Sequence, residues 1–451
     1  MSGSNGGGRG DAVAPTVRLD ERAFRTDLVG GPTVLSERSD SLRSVAIGFW
    51  FRQGRIHESE DELGVSHLLE HMVFKGTARR SAKEIALAIE RVGGSLDAYT
   101  THEATCYQAR VPAEHLPLAI DVLADMTFEP ALRPADLELE RGVVLEEIAS
   151  IEEAPEEVAF EAHASMLYGG HPYGEPIIGT HESVEAMSRA DLLRTHEASY
   201  RPSNLVIAAV GDVEHEHLLD LVRQRLPTSD GAAPVTLTPP VSGETGVRRI
   251  GRPGGRQTHV VTGGLGVPYG DPLRYAVVAT STALGAGMSS RLFQRIREEQ
   301  GLAYSVYSFH CFFASAGHVG AYVGTRPEVA DRAHDMLMAE LDGVATEGLR
   351  RDELEDTRTQ LKGQILISLE SPTTRMNRLA GVAIFDQPYR SVDDIAAQID
   401  AVDEERSARA ARLFHPDRAA VVVLSPEPDV VGPPSPGPVD GSSPTHRGAI
   451  G

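Results

Sequence analysis

The 451-residue chain states its structural grammar twice. "HEASYRPSNLVIAAVGDV" reads as a helix end, a turn and a fully apolar strand, and "AARLFHPDRAAVVVLSPE" repeats that order in the second half. "GGSLDAYTTHEATCYQARVPAEHLPLAIDVLADM" reads as two alternating strands followed by a helix. So does "GLAYSVYSFHCFFASAGHVGAYVGTRPEVADRAHDMLMAEL". A duplicated unit of about 200 residues is the simplest source of such a pattern. Strands that come in adjacent pairs, separated by helical stretches, predict an α+β fold. The expectation is two duplicated domains, each a largely antiparallel or mixed β-sheet with helices on one face.

The breaks between the periodic segments divide the chain. Residues 1–16 are Gly-rich and read as a flexible tail, and the Pro/Gly/Ser-rich stretch 427–451 reads the same way. "LPTSDGAAPVTLTPPVSGETG" interrupts the pattern, so 229–246 is expected to link domains 17–228 and 247–426. The N-terminus lacks the apolar segment of a secretory signal, and no run of about 18 apolar residues occurs. A formal net charge of -22 argues against nucleic acid or an anionic membrane surface as partner. Cys106 and Cys311 lie too far apart in sequence for a two-cysteine metal or redox motif, and read as separate thiols in a reducing compartment. The expected location is therefore cytoplasmic.

One apolar run carries ionisable groups that need a reason. In "GVSHLLEHMVFKGT" (64–77), helical spacing puts Val65, Leu68, Leu69 and Met72 on one side. His67, Glu70, His71 and Phe74 fall on the other. His67 and His71 are four residues apart, so their rings sit one turn from each other and can share a metal ion. Taken alone, the face is also open to an ordinary surface reading with a His–Glu pair. A second helix bears on the choice. In "RPADLELERGVVLEEIASIEEAP", Pro134 and Asp136 mark a start and Pro155 a stop. Leu137, Val144, Ile148 and Ile151 form an apolar stripe, and Glu140 and Glu147 lie within it. A carboxylate on such a stripe is costly unless it pairs with a cation, whether arginine or metal.

The H-x-x-E-H pattern of His67, Glu70 and His71, followed by Glu147, resembles the inverted-zincin metallopeptidases of the pitrilysin, insulin-degrading enzyme and mitochondrial processing peptidase family. "HLLEHMVFKGT", "GGSLDAYTTHEATCY", "ERGVVLEEI", "HPYGEPIIGT", "YRPSNLVIAAVGDV" and "LGAGMSSRLFQRIREEQGLAYSVYS" extend the resemblance over nearly the whole chain outside the tails and linker.

The resemblance implies one Zn2+ per chain, held by His67, His71 and Glu147, with Glu70 as general base of a zinc endopeptidase. It assigns Glu140 a supporting place beside the ligands. It makes Asp97, Ala98 and Tyr99 part of an edge strand that binds the substrate backbone, with Asp97 standing where the family often has Asn. For Tyr99, plain cross-strand packing is the alternative. Arg297 and Tyr304 match an Arg–Tyr pair that reaches the substrate from the second half; without the resemblance, Arg297 reads as a surface charge. The second half has no H-x-x-E-H and is expected to be the non-metal partner domain. Two-domain members of the family pair into a peptide-holding chamber, so a homodimer is expected, or a heterodimer with a related chain. A non-catalytic structural or partner subunit is the alternative function, and it would be expected to have lost part of the motif that this chain keeps.

Overall fold

The structure, a computed structural model, describes residues 15–227, 240 and 243–426. The expected C-terminal tail, residues 1–14 of the expected N-terminal tail and most of the linker therefore lie outside the described residues.

Among the described residues, twelve strands form two sheets. The first contains β1 (Val17–Arg18), β2 (Ala23–Asp27), β3 (Thr33–Arg38), β4 (Ser44–Phe51), β5 (Ser95–Thr100), β6 (Thr105–Pro112) and β7 (Leu205–Gly211), in the order β1-β2-β3-β7-β4-β6-β5. The second contains β8 (Gly246–Gly251), β9 (Thr258–Leu265), β10 (Ala303–Phe312), β11 (Gly317–Thr325) and β12 (Ala420–Ser425), in the order β8-β12-β9-β11-β10. Strands β3 and β7 pair in parallel, as do β8 and β12, and all other neighbours are antiparallel. The second sheet thus repeats five strands of the first in the same order and polarity. This is the α+β duplication the sequence predicts. In both sheets the last strand, β5 or β10, has a neighbour on one side only.

Strand β7, "LVIAAVG", is buried at every position, and so is β12, "AVVVLS". A strand apolar on both sides needs cover on both faces. Each sheet receives one cover from its own half. The other cover is exchanged. The helix Pro155–Tyr168, from the first half, lies on β9 and β12, where Ala159 and Met166 meet Val261, Tyr322, Val422 and Leu424. The helix Pro372–Ile384, from the second half, lies on β3, β4 and β7, where Met376, Leu379 and Ala380 meet Leu35, Ala46, Trp50, Val206, Ala208 and Val210. Full burial of a side chain such as Leu379 contributes about 1.5–3 kcal/mol, so the exchange binds the halves into one body. Both cysteines are free thiols, Cys106 buried and Cys311 half-buried. No described helix is long and apolar enough to cross a membrane.

His163, on the first exchanged helix, is 2% exposed, and its Nε2 donates to the Gly263 carbonyl of the second half at 3.3 Å. Burial pushes its pKa down to about 4. An unfolded histidine titrates near 6.5, so between those values the unfolded chain binds the extra proton. This contribution to stability is complete above pH 6.5 and is lost progressively as pH falls from there to 4. Metal-free protein is expected to lose about 2 kcal/mol through His163 between pH 7 and pH 5. In chemical denaturation His163→Gln should show a correspondingly shallower acid slope, and an unchanged slope would count against this assignment.

Candidate metal centre

The histidine helix spans Val65–Val73, with Val65, Leu68, Leu69 and Met72 at most 1% exposed. Its start is built from two glycines. Gly64 has φ +91°, and a Cβ there would lie 2.7 Å from the Ile178 carbonyl oxygen; Gly179, also at φ +91°, faces it, and its Cβ would lie 2.9 Å from the Leu63 oxygen. Only glycine suits both positions. The "IIGT" segment is therefore a seat for the histidine helix.

The helix N-terminus is held by a carboxylate that the sequence pattern does not single out. Glu58 accepts hydrogen bonds from the backbone of Gly64 at 2.9 Å and of Ser66 at 2.8 Å. A negative charge at this end also complements the helix dipole. Arg55, 2% exposed, lies against Glu58 and pairs with Glu175. Burial raises the Glu58 carboxyl, opposed by the hydrogen bonds from Ser66 and Gly64 and by the charge of Arg55.

The polar face presents His67 and His71 with ring centroids 4.8 Å apart. The glutamate helix, Pro134–Glu153, packs across it. Glu147 Oε2 lies 3.8 Å from His67 Nε2 and 3.6 Å from His71 Nε2. These separations exceed a hydrogen bond. They suit three ligands around one ion, because bonds of about 2.0–2.2 Å in a tetrahedron space neighbouring ligand atoms by about 3.3–3.6 Å. Among the described residues this is the one group of three or more His, Cys, Asp or Glu whose ligand atoms converge, all within 4.8 Å of one another. Burial and the neighbouring His71 push the His67 pKa down to about 4, so the ring is neutral at pH 7, as a ligand must be.

Around this trio the remaining residues divide. Glu140, 5% exposed, lies 3.2 Å from His71 Nδ1 and 2.5 Å from Lys75 Nζ. It fixes the ring from behind, and Lys75 supplies the counter-charge. Lys75 is a residue that the motif does not flag, although it stands four residues after His71. Glu147 departs from expectation: its side chain is 43% exposed, because the stripe that buries Glu140 opens toward the histidines two turns later. Glu70 accepts a hydrogen bond from Thr100 Oγ1 at 2.5 Å. Burial raises its carboxyl, Thr100 and His71 lower it, and Asp97 and Glu147 raise it.

Thr100 ends β5, the free edge of the first sheet. Alternation along the strand puts Ala98 and Thr100 on the side of the histidine helix and Asp97 and Tyr99 on the other. Ala98 packs with the first-half core. The Tyr99 hydroxyl accepts from Trp50 Nε1 at 3.1 Å, and Asp97 lies 3.4 Å from Gln108 Nε2. The Tyr99 side chain packs in the layer beneath the second exchanged helix, the cross-strand packing alternative, and leaves only the strand's backbone for the expected substrate contact. Thr100, one residue further on, has the contact with Glu70. In the second half Arg297 donates to the Tyr304 carbonyl at 2.7 Å and lies over the Tyr304 and Phe293 rings. Tyr304 is 77% exposed. None of these contacts reaches the histidine face.

Removing the Glu58 carboxylate leaves Arg55 with one acidic partner fewer and the histidine helix uncapped. Glu58→Ala is expected to cost about 3–5 kcal/mol in denaturant unfolding. A loss below about 1 kcal/mol would show that the cap is dispensable.

Two family models match the chain. Residues 33–181 match "Insulinase (Peptidase family M16)", and residues 186–361 match "Peptidase M16 inactive domain". An uncharacterized zinc protease of Streptomyces coelicolor is 39% identical over 415 residues, 90% of each chain. One of Bacillus subtilis is 34% identical over 397 residues, covering 88% of this chain and 96% of the relative. Among solved structures, a peptidase M16 inactive domain from Pseudomonas fluorescens superposes with a TM-score of 0.85 at 22% identity, over 91% of this chain and 99% of that one. A protease from Helicobacter pylori gives 0.84 at 20% identity, over 92% and 100%. At these identities the structures speak for the fold, and the relatives over most of the sequence speak for descent: the chain belongs to the insulinase-type peptidases, family M16.

Proposed function

We propose that this chain is a zinc endopeptidase that cuts extended peptides, with zinc held by His67, His71 and Glu147. The observation that carries the reading is the convergence of two imidazole nitrogens and one carboxylate oxygen beside a second, partly buried carboxylate, Glu70, at a sheet edge. Relatives named as zinc proteases support the metal. When bound, zinc supplies Lewis acidity toward water and the scissile carbonyl.

The chain's own residues supply the rest. A peptide added as a further strand on the free edge of β5 brings its backbone past Thr100 and Glu70. Glu70 takes a proton from the attacking water and returns it to the departing amine. Burial favours that exchange by raising the carboxyl toward the working pH, and Thr100 fixes which oxygen is free. Glu140 keeps the His71 ring in place through Nδ1. Arg297 and Tyr304 engage the peptide from the second half, and a second copy of the chain closes the chamber.

Glu70→Gln is expected to lower hydrolysis of a fluorogenic peptide by about 10²-fold or more while zinc content stays at one per chain. Wild-type turnover in this variant would remove Glu70 as the base. Glu147→Gln is expected instead to lower zinc content in elemental analysis, and full retention would point to a different third ligand.

A further inference from the structure

The halves also meet away from the exchanged helices, where the turns of two equivalent edge hairpins touch. Residues 101–104 join β5 to β6, and 313–316 join β10 to β11. Glu103 Oε1 accepts from the Tyr173 hydroxyl at 2.6 Å and from the Ala314 backbone N–H at 2.8 Å. Tyr173 lies flat on Phe313, with centroids 4.0 Å apart and an interplanar angle of 7°. His102 meets the Phe313 ring edge-on at 5.2 Å. Tyr173 is 2% and Phe313 9% exposed, so the stacked rings are dry, while the Glu103–Ala314 hydrogen bond lies at their exposed rim.

The first of these turns is stiff. Thr101 N–H donates to the Ala104 carbonyl at 2.8 Å, and Thr101 Oγ1 accepts from the backbone N–H groups of Glu103 and Ala104. It is also wedged: a Cβ on Gly54 would lie 2.3 Å from the Thr101 oxygen. Strand β5 has one neighbour, so its hydrogen-bond ladder restrains it on one side only. Its far end is held from the first half, where the Ile56 N–H donates to the His102 carbonyl at 2.9 Å, and from the second half through the Ala314 N–H, which donates to Glu103 three residues from the hydroxyl that holds Glu70.

We propose that Glu103 is a positioning residue: it ties the β5–β6 turn to the second half so that Thr100 holds Glu70 in its working place. The inference rests on the proposed role of Glu70. A contact serving only stability would lower the melting temperature without changing turnover per folded, zinc-loaded chain. A positioning contact lowers turnover, because a small displacement of a reacting group is costly in rate.

The test compares full-length wild type and Glu103→Ala, matched for zinc content, in peptide hydrolysis and in hydrogen exchange. The expected result is a fall in kcat of about tenfold or more with KM within about twofold. Backbone exchange over residues 95–104 should be faster by about tenfold, with β4 and β7 unchanged. Unchanged kcat, a change confined to KM, or unchanged exchange over 95–104 would each overturn the proposal. If Glu103→Ala does not fold, Phe313→Leu perturbs the same contact from the other half and is read by the same criteria. If wild type shows no hydrolysis, the proposed function fails by itself, and the exchange measurement alone decides whether Glu103 fixes β5.

Discussion

One strand in each sheet, β7 or β12, is apolar and buried on both faces, and the rest of the molecule accommodates it. A sheet that is greasy on both sides cannot leave one face in water. Each half has helices enough for one face of its sheet, and the second face is closed by a helix from the other half. Because the exchange is reciprocal, neither half is complete without its partner. The duplication thus makes one body from two similar parts.

That exchange also positions the candidate metal centre. The glutamate helix that carries Glu140 and Glu147 ends at Glu153, and after Ala154 the helix Pro155–Tyr168 crosses to the second sheet. The segment that supplies the proposed third ligand is therefore continuous with the segment that locks the halves. On the other side of the centre, the histidine helix is set by the Gly64–Gly179 contact and by the Glu58 carboxylate. Two rigid helices with separate anchors then face each other at ligand distance, which is the arrangement a preorganised metal site requires.

Much of this is legible in the residues themselves. The sidedness of the histidine helix follows from a period of 3.6 residues, and its four apolar residues are buried as that period requires. That Glu140 needs a cationic partner follows from a charge on an apolar stripe, but that His71 and Lys75 provide it does not. Other features are not legible, for identifiable reasons. Thr100 and Tyr99 are adjacent in an edge strand, and which of them meets Glu70 depends on which face of β5 turns to the histidine helix. Glu58 and Glu103 lie in irregular segments, where no periodicity assigns a direction to a side chain. The partial exposure of Glu147 depends on where its stripe leaves the core.

By itself the sequence determined the duplication, the α+β class, the two-faced histidine helix and the carboxylates on the facing stripe, because each is a local pattern of residue type and spacing. The tertiary structure alone decided which helix covers which sheet, which residue of the edge strand touches Glu70, and what anchors the helix that bears the histidines. Those choices depend on contacts between residues far apart in the chain, where burial of apolar faces and pairing of buried charges act together and no local period records the outcome.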